Sequence, residues 1–197
     1  MTLNELLKKN KINIILASKS LRRQMLLKEL GVDFKIIVKE VDEIYPSKLQ
    51  KEEIPLFLSK LKASVFNNIN KNDIIITSDT IVCIKDKVLG KPVDYNDAVA
   101  MLNNLSGNKH TVYTGVCIKS ATKQIVFSDK TDVYFKKLNN SEIKYYIETY
   151  KPYDKAGAYG IQEWIGYVAI DKIEGSYFNV MGLPVHKLYS ELYKFLG

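Results

Sequence analysis

Short apolar segments of strand length alternate with amphipathic segments of helix length along almost all of the 197 residues. Alternating apolar residues predict strands, and apolar residues spaced three and four apart predict helices. In the first part of the chain these are a strand at 12–17, a helix at 20–30, a strand at 34–41 and a helix at 54–69. Several later connections are too short for the crossover that parallel strands need, so some strands must pair in antiparallel fashion. The pattern predicts an α/β fold with a mixed sheet.

The next apolar segment starts at Asp73 and predicts a strand that breaks at the polar residues 78–80. The alternation of strands and helices continues after it. The other predicted elements are a hairpin continuation to Pro92, a helix capped by Asp94 and stopped by Gly107, two strands at 110–120 and 124–138, a helix at 141–150, a strand pair at 166–177 and a closing helix at 183–197. Because no repeat, low-complexity tract or long linker is visible, we predict a single domain, 1–197.

Net charge and hydropathy limit the kinds of partner and the cellular location that this protein can have. The net charge of +7 permits nucleic acid, nucleotides or acidic surfaces as partners. The lysines are scattered without a basic tail, which favours solvated lysines as the source of most of this charge. No apolar run approaches the about 20 residues of a membrane span, and the N-terminal segment lacks the features of a signal peptide. We therefore expect a cytoplasmic protein without a membrane partner.

The cysteines and histidines do not form a metal-binding pattern. Cys83 and Cys117 lie in apolar contexts without a Cys-x-x-Cys pair, so we predict buried thiols rather than a zinc site or a disulfide. The two histidines, His110 and His186, lack the spacing of paired metal ligands. A histidine-based metal site is not predicted.

Basic residues crowd the predicted start of the helix at 20–30, in the segment SKSLRR at 18–23. A helix N-terminus carries partial positive charge, so cations there are unfavourable unless an anion is bound. Backbone N–H groups, hydroxyl groups and guanidinium groups together suit a phosphate chain. A surface helix start with solvated basic residues explains the segment equally well when it is taken alone.

A carboxylate interrupts an otherwise apolar segment at Asp79. Because a charged group in a strand interior is costly unless it is paired or used, this residue is a candidate general base or metal ligand. A bulge or strand end is the structural alternative. Asp42 and Glu43 end an earlier strand, and either could share a divalent cation with Asp79, although a solvated turn explains them more simply.

Two further segments suit a ligand. Gly90 and Pro92 form a turn that presents Lys91, which by itself reads as a solvated lysine. The segment at 152–162, PYDKAGAYGIQ, is dense in small residues that let a backbone approach a ligand closely. It lacks the spacing of a dinucleotide-binding fingerprint, and an ordinary glycine-rich loop is the alternative. Together, cations, carboxylates and a close-approach loop suit nucleotide phosphate chemistry.

The segments LASKSLRRQMLLKELGVDF, EVDE, SDTIV, LGKP, MLNNLSGNKHTVYTGV, DKAGAYGIQ and IEGSYFNVMGLP occur in this order over residues 12–190. In these segments the chain resembles the Maf family of septum-formation-inhibitor-like nucleoside triphosphate pyrophosphatases. The resemblance implies an elongated mixed sheet flanked by helices, a cleft between two lobes and, often, a homodimer. It also implies hydrolysis of a nucleoside triphosphate to the monophosphate and pyrophosphate with Mg²⁺ or Mn²⁺, and no stable nucleic-acid partner.

The resemblance assigns roles to individual residues. The proton acceptor would be Asp79, the phosphate-binding residues Ser18, Arg23, Lys62 and Lys91, and the metal ligands Glu43 and Asp79. The three positions that would set base specificity read Arg22, Thr80 and Gln162, as in the dTTP/UTP pyrophosphatase subgroup.

Three departures from the family pattern stand out. Leu21 replaces a proline at the predicted helix start, Leu61 replaces the glutamate of a Glu-Lys-Ala motif, and Glu163 and Trp164 replace small residues. Loss of the proline is expected to loosen the loop rather than abolish binding. A non-catalytic nucleotide-binding regulator of cell division or septum formation remains the alternative function.

Overall fold

The computed structural model describes residues 1–197. It contains the helices α1 (Leu3–Lys9), α2 (Leu21–Glu29), α3 (Glu53–Ser64), α4 (Tyr95–Leu105), α5 (Asn140–Tyr150), α6 (Trp164–Ala169), α7 (Tyr177–Met181) and α8 (Val185–Leu196). The strands are β1 (Asn13–Leu16), β2 (Phe34–Ile36), β3 (Asp73–Ile84), β4 (Lys87–Leu89), β5 (Lys109–Lys119), β6 (Gln124–Phe135) and β7 (Ile170–Glu174). None of the helices combines the length and apolar character that crossing a membrane requires.

The seven strands form one sheet in the order β2-β1-β3-β5-β6-β7, with β4 paired to β3. β1 runs parallel to both β2 and β3. By contrast, β4 is antiparallel to β3 and β7 is antiparallel to β6. The predicted α/β fold with a mixed sheet and antiparallel pairs is confirmed.

The chain divides into two compact units. Unit 1 comprises Met1–Asp79, Thr114–Asp129 and Gly182–Gly197, and unit 2 comprises Thr80–Tyr113 and Lys130–Met181. The single domain over residues 1–197 stays a prediction.

Unit 1 has a core of aliphatic side chains. Leu3, Leu188 and Leu192 have no exposed surface, and burial of each such side chain stabilises the fold by about 1.5–3 kcal/mol. Close packing also requires glycine at position 115 of β5. A Cβ atom there would lie 2.2 Å from the carbonyl oxygen of Pro55, so only glycine lets these two segments approach this closely.

Unit 2 contains a buried aromatic cluster around His110. The His110 ring makes edge contacts with Phe135 and Tyr159, and its Nε2 lies 2.7 Å from the Tyr159 hydroxyl. Burial lowers the pKa of His110 to about 3, so the imidazole is neutral at physiological pH. Cys83 and Cys117 are both buried and form no disulfide, as predicted.

The structure adds a helix at the N-terminus that the sequence analysis did not predict. Thr2 Oγ1 accepts a hydrogen bond from the backbone N–H of Glu5, and the Glu5 carboxylate accepts one from the N–H of Thr2. This reciprocal capping box starts α1. The Thr-x-x-Glu spacing of residues 2–5 was the available sequence signal.

Two predicted elements are shorter than expected, for tertiary reasons. β2 ends at Ile36 rather than residue 41, because its neighbour β1 ends at Leu16, which pairs with Ile36. α3 ends at Ser64 rather than residue 69. There, Lys119 Nζ donates hydrogen bonds to the carbonyl oxygens of Ala63 and Phe66, which satisfies terminal acceptors of this helix region.

Two other predictions were wrong. The break at residues 78–80 does not occur, because β3 continues unbroken through them from Asp73 to Ile84. The strand pair at 166–177 is a single strand, β7, between the short helices α6 and α7. Gly166 lies in α6, where its N–H donates to the Glu163 carbonyl oxygen at 2.8 Å, so the preceding turn directs the chain into a helix.

Candidate active site

Asp79 lies in the middle of β3 and is 8% exposed. Its Oδ1 accepts a hydrogen bond from Lys62 Nζ at 2.7 Å. The ion pair explains why the strand tolerates a carboxylate without breaking, because a buried charge needs a compensating partner. The predicted strand end is therefore replaced by a paired carboxylate within a continuous strand.

Lys62 belongs to α3 and connects two carboxylates. Its Nζ lies 2.7 Å from Asp79 Oδ1 and 3.0 Å from Glu43 Oε1. The Lys62 side chain is 17% exposed and that of Glu43 is 50% exposed, so the cluster reaches from a buried strand to the protein surface. The structure thus brings together three of the residues that the sequence analysis selected.

Arg23 of α2 is fixed beside this cluster by backbone carbonyls. Its Nε donates to the Gly182 oxygen and its Nη1 donates to the Ser78 oxygen, each at 2.8 Å. Ser78 directly precedes Asp79, so Arg23 holds the backbone next to that carboxylate. The Ser78 hydroxyl also donates to the Gly182 oxygen at 3.3 Å.

The charges around Arg23 link further predicted residues. Burial lowers the pKa of Arg23, and the nearby positive charge of Arg22 acts in the same direction. The negative charges of Asp79 and Glu43 oppose this shift. These four charged residues are therefore close enough to interact electrostatically within unit 1.

The start of α2 is built around two serines. Ser20 is the N-cap residue, and its Oγ accepts from the Arg23 N–H at 3.5 Å. Ser18 is 6% exposed, and its Oγ accepts from the Ser20 N–H at 3.2 Å. Lys19, in contrast, is exposed and pairs with Glu40 at 3.2 Å. Lys19 is therefore one cation of the predicted basic segment whose charge is already compensated by a surface carboxylate.

The donor set fits a divalent cation that is completed by a ligand. No group of three His, Cys, Asp or Glu side chains that could hold a metal occurs in the structure. Asp79 and Glu43, however, both contact the same Lys62 nitrogen and so lie close to each other. Mg²⁺ is commonly bound by one or two carboxylates together with substrate phosphates and waters. These two residues fit that arrangement.

The remaining predicted site residues, Thr80, Lys91 and Gln162, lie in unit 2. Thr80 follows Asp79 in β3, and Lys91 is exposed in the loop after β4. That loop is tied to the small-residue segment because the Gly157 N–H donates to the Gly90 oxygen at 2.9 Å. Gln162 is half-buried, and its Oε1 is a buried acceptor without a hydrogen-bond partner. An unsatisfied buried acceptor of this kind suits a donor group of a ligand.

The family model described as "Maf-like protein" matches residues 13–195. The chain belongs to the Maf family.

Curated relatives of this Maf chain match over nearly their full length. A protein of Christiangramia forsetii named dTTP/UTP pyrophosphatase is 52% identical and aligns over 99% of both chains. A protein of Flavobacterium johnsoniae with the same name is 53% identical, over 96% of this chain and 97% of its own. Among solved structures, a HAM1 protein from Coxiella burnetii matches with a TM-score of 0.50 and 12% identity, over 93% of this chain and 99% of its own, which shows a shared fold.

Sequence reasoning missed two groups that contact the predicted site segments, one in each unit. The Gly182 carbonyl oxygen, which receives bonds from Arg23 and Ser78, gave no sequence signal because any residue has such an oxygen. Tyr146 of α5 is fully buried, and its hydroxyl accepts from the Gly160 N–H at 2.9 Å. A tyrosine on the apolar face of a helix resembles ordinary core, so only its partners distinguish it.

Proposed function

We propose that this chain hydrolyses dTTP and UTP to the nucleoside monophosphate and pyrophosphate. Two relatives that are 52% and 53% identical over nearly the whole chain are named for this activity. The residues at the three proposed specificity positions, Arg22, Thr80 and Gln162, agree with the same subgroup.

The observation that carries the proposed site is the Lys62 ammonium between Asp79 and Glu43. It holds a buried carboxylate in a fixed orientation next to a second, half-exposed one. A fixed carboxylate can accept a proton from water, and a nearby cation can stabilise negative charge on phosphate oxygens. The same three residues thus supply a base, a second carboxylate and a positive charge.

In the proposed reaction, Asp79 accepts a proton from a water molecule whose oxygen attacks the α-phosphorus. The new bond joins that oxygen to the α-phosphorus, and the bond from the α-phosphorus to the bridging oxygen breaks, which releases pyrophosphate. A divalent cation held by Asp79 and Glu43 would neutralise phosphate charge.

Charged and polar side chains would hold the phosphates during this reaction. Lys62, Lys91 and Arg23 would stabilise the charge that develops toward pyrophosphate, and Ser18 would bind a phosphate oxygen. Because two Arg23 donors are bonded to backbone carbonyls, its contribution would come chiefly from its positive charge.

Base recognition would depend on Gln162. Uracil and thymine carry an N–H donor at N3 between two carbonyl acceptors, whereas cytosine has an acceptor at N3. The buried Gln162 Oε1 without a partner suits the N3 donor, and the amide N–H would donate to a neighbouring carbonyl. Cytosine would leave that oxygen unsatisfied, which selects against it.

The test is product analysis with purified protein and a panel of nucleoside triphosphates, with Mg²⁺ or Mn²⁺ present or chelated. Pyrophosphate is resolved from orthophosphate. We expect metal-dependent pyrophosphate release from dTTP and UTP and little from CTP or purine nucleotides. Orthophosphate alone would place the cleavage at the terminal phosphate and contradict the proposal.

Binding of dTTP without turnover by folded protein would favour the alternative of a non-catalytic nucleotide-binding regulator. The cytoplasm is the expected site of action for an enzyme of nucleotide pools, and a homodimer is its expected assembly. Size-exclusion chromatography with light scattering measures that assembly directly.

A further inference from the structure

A second lysine in the structure lies between two carboxylates, within unit 2. Lys155 Nζ is 3.1 Å from Glu163 Oε1 and 2.7 Å from Asp154 Oδ1. The Lys155 side chain is 9% exposed and that of Glu163 is 18% exposed. Since an ammonium group at this depth requires a compensating charge, the Lys155–Glu163 pair fixes the position of the Glu163 carboxylate.

Both oxygens of Glu163 are engaged. Oε1 pairs with Lys155, and Oε2 accepts a hydrogen bond from the hydroxyl of the buried Tyr146. Burial, with the negative charge of Glu163 in addition, raises the pKa of Tyr146 well above its ordinary value. The phenol therefore keeps its proton and acts as the donor to Glu163, while its oxygen accepts from the Gly160 N–H at 2.9 Å.

These contacts fix both ends of the turn that contains Gln162. The Glu163 N–H donates to the Gly160 oxygen at 3.0 Å, which closes a four-residue turn with Gln162 at its third position. A Cβ atom on Gly160 would lie 2.9 Å from Glu163 Cδ and 3.1 Å from Gln162 Nε2. The two side chains therefore fold over residue 160, and glycine leaves the room for them.

We propose that Glu163, held by Tyr146 and Lys155, is a positioning residue for Gln162 and thereby sets the preference for uracil and thymine over cytosine. The inference rests on the proposed function. It assigns a role to the glutamate that departs from the small residue expected at this position.

The physical basis is that an amide selects a base only when its orientation is fixed. A Gln162 amide that can rotate presents either its oxygen or its NH₂ group, and the NH₂ group matches the N3 acceptor of cytosine. The turn contacts of Tyr146 and Glu163 restrict the backbone from which this amide extends. Loosening them should therefore reduce discrimination between bases more than it reduces the chemical step.

The experiment compares kcat and KM for UTP and CTP in the wild-type chain and in Glu163→Gln and Tyr146→Phe. We expect each variant to lower the ratio of kcat/KM for UTP to that for CTP by about tenfold, the worth of one well-placed hydrogen bond. The change should come mainly from a higher KM for UTP. Tyr150→Phe is the matched control, because Tyr150 stacks on Tyr146 in the same helix with ring centroids 5.2 Å apart, and its ratio should stay at the wild-type value.

The outcomes separate this inference from the function on which it rests. Absence of pyrophosphate release by the wild-type chain would overturn the proposed function and the inference with it. Wild-type turnover of UTP with an unchanged UTP-to-CTP ratio in both variants would overturn the inference alone. Equal losses for UTP and CTP together with a lower Tm would show a purely structural role and would also overturn it. If one variant does not fold, the other decides the result by the same ratio.

Discussion

Unit 1 and unit 2 each contain a lysine placed between one buried and one more exposed carboxylate. In unit 1, Lys62 joins Asp79 to Glu43, and the Glu43 side chain is 50% exposed. In unit 2, Lys155 joins Glu163 to Asp154, whose side chain is 63% exposed. The two clusters share charge and depth, so these properties alone cannot distinguish a catalytic carboxylate from a positioning one.

The surroundings distinguish them. Glu163 has one oxygen on Lys155 and the other on Tyr146, which is in turn bonded to the backbone of Gly160. Asp79 contacts its lysine through Oδ1, and its neighbour Ser78 is held by Arg23. A carboxylate with both oxygens engaged and a link to a turn is suited to hold structure. The contact of Asp79 Oδ1 with the Lys62 ammonium orients the carboxylate that we propose as the base.

The largest expected effect comes from removing the Asp79 charge. Asp79→Asn should lower kcat for UTP by about 10²–10⁴-fold, because the amide cannot accept the proton from water. Circular dichroism and Tm measurements check that the variant folds. Asp33→Asn, which alters an exposed carboxylate paired with Lys8, should retain full activity. Substantial turnover by Asp79→Asn would contradict the proposed role of Asp79 as the base.

The two lysines provide a sharper contrast. Lys155→Met should lower the free energy of unfolding by about 3–5 kcal/mol, because it leaves Glu163 buried without its cation. Lys62→Met should destabilise less, because the charge of Arg23 still acts on Asp79, but it should lose more activity. Urea denaturation and UTP kinetics measure the two effects. The exposed Lys144→Met is the control. Equal losses of stability and of activity in Lys155→Met and Lys62→Met would contradict the predicted contrast between the two lysines.

Acid should weaken unit 2 through His110. Its pKa is about 3 in the folded protein against an ordinary value of 6.5, so the unfolded state binds an additional proton between these pH values. Stability from this residue is therefore complete above pH 6.5 and is lost as the pH falls toward 3, by at most about 1.4 kcal/mol per pH unit.

Urea denaturation at pH 6.5 and 5.5 measures this loss. His110→Gln should reduce the pH dependence of the free energy of unfolding even if it lowers stability at pH 7. An identical pH dependence in His110→Gln and the wild-type chain would contradict this prediction.

The smallest effect is expected at the start of α2. Leu21 is the first helical residue and is 79% exposed. Leu21→Pro should raise the free energy of unfolding by about 0.4–1 kcal/mol, since proline restricts the unfolded chain and its missing N–H is unpaired at this position anyway. Thermal denaturation checks this, with Leu21→Ala as the control for loss of the side chain. A lower Tm in the proline variant would contradict the prediction.

Local signals predicted most of the elements. Asp94 caps α4 by accepting from the Asp97 N–H at 2.8 Å, as its position before an apolar helical face indicated. The predicted helix at 141–150 corresponds to α5, Asn140–Tyr150. Two of the errors lie where residues distant in the sequence make contacts. Lys119 donates to carbonyl oxygens at the end of α3, and Lys62 pairs with Asp79 inside the continuous strand β3.

For the site, the sequence by itself determined which residue types are present and in which order. It also determined the family resemblance from which the candidate site residues were predicted. Tertiary structure decided that Lys62 connects Asp79 with Glu43, and that Tyr146 and Lys155 hold Glu163 beside Gln162. The reason is physical. Caps and periodicities depend on neighbours within a few residues, whereas an ion pair such as that of Lys62 with Asp79, 17 positions apart, exists only after strands and helices have packed.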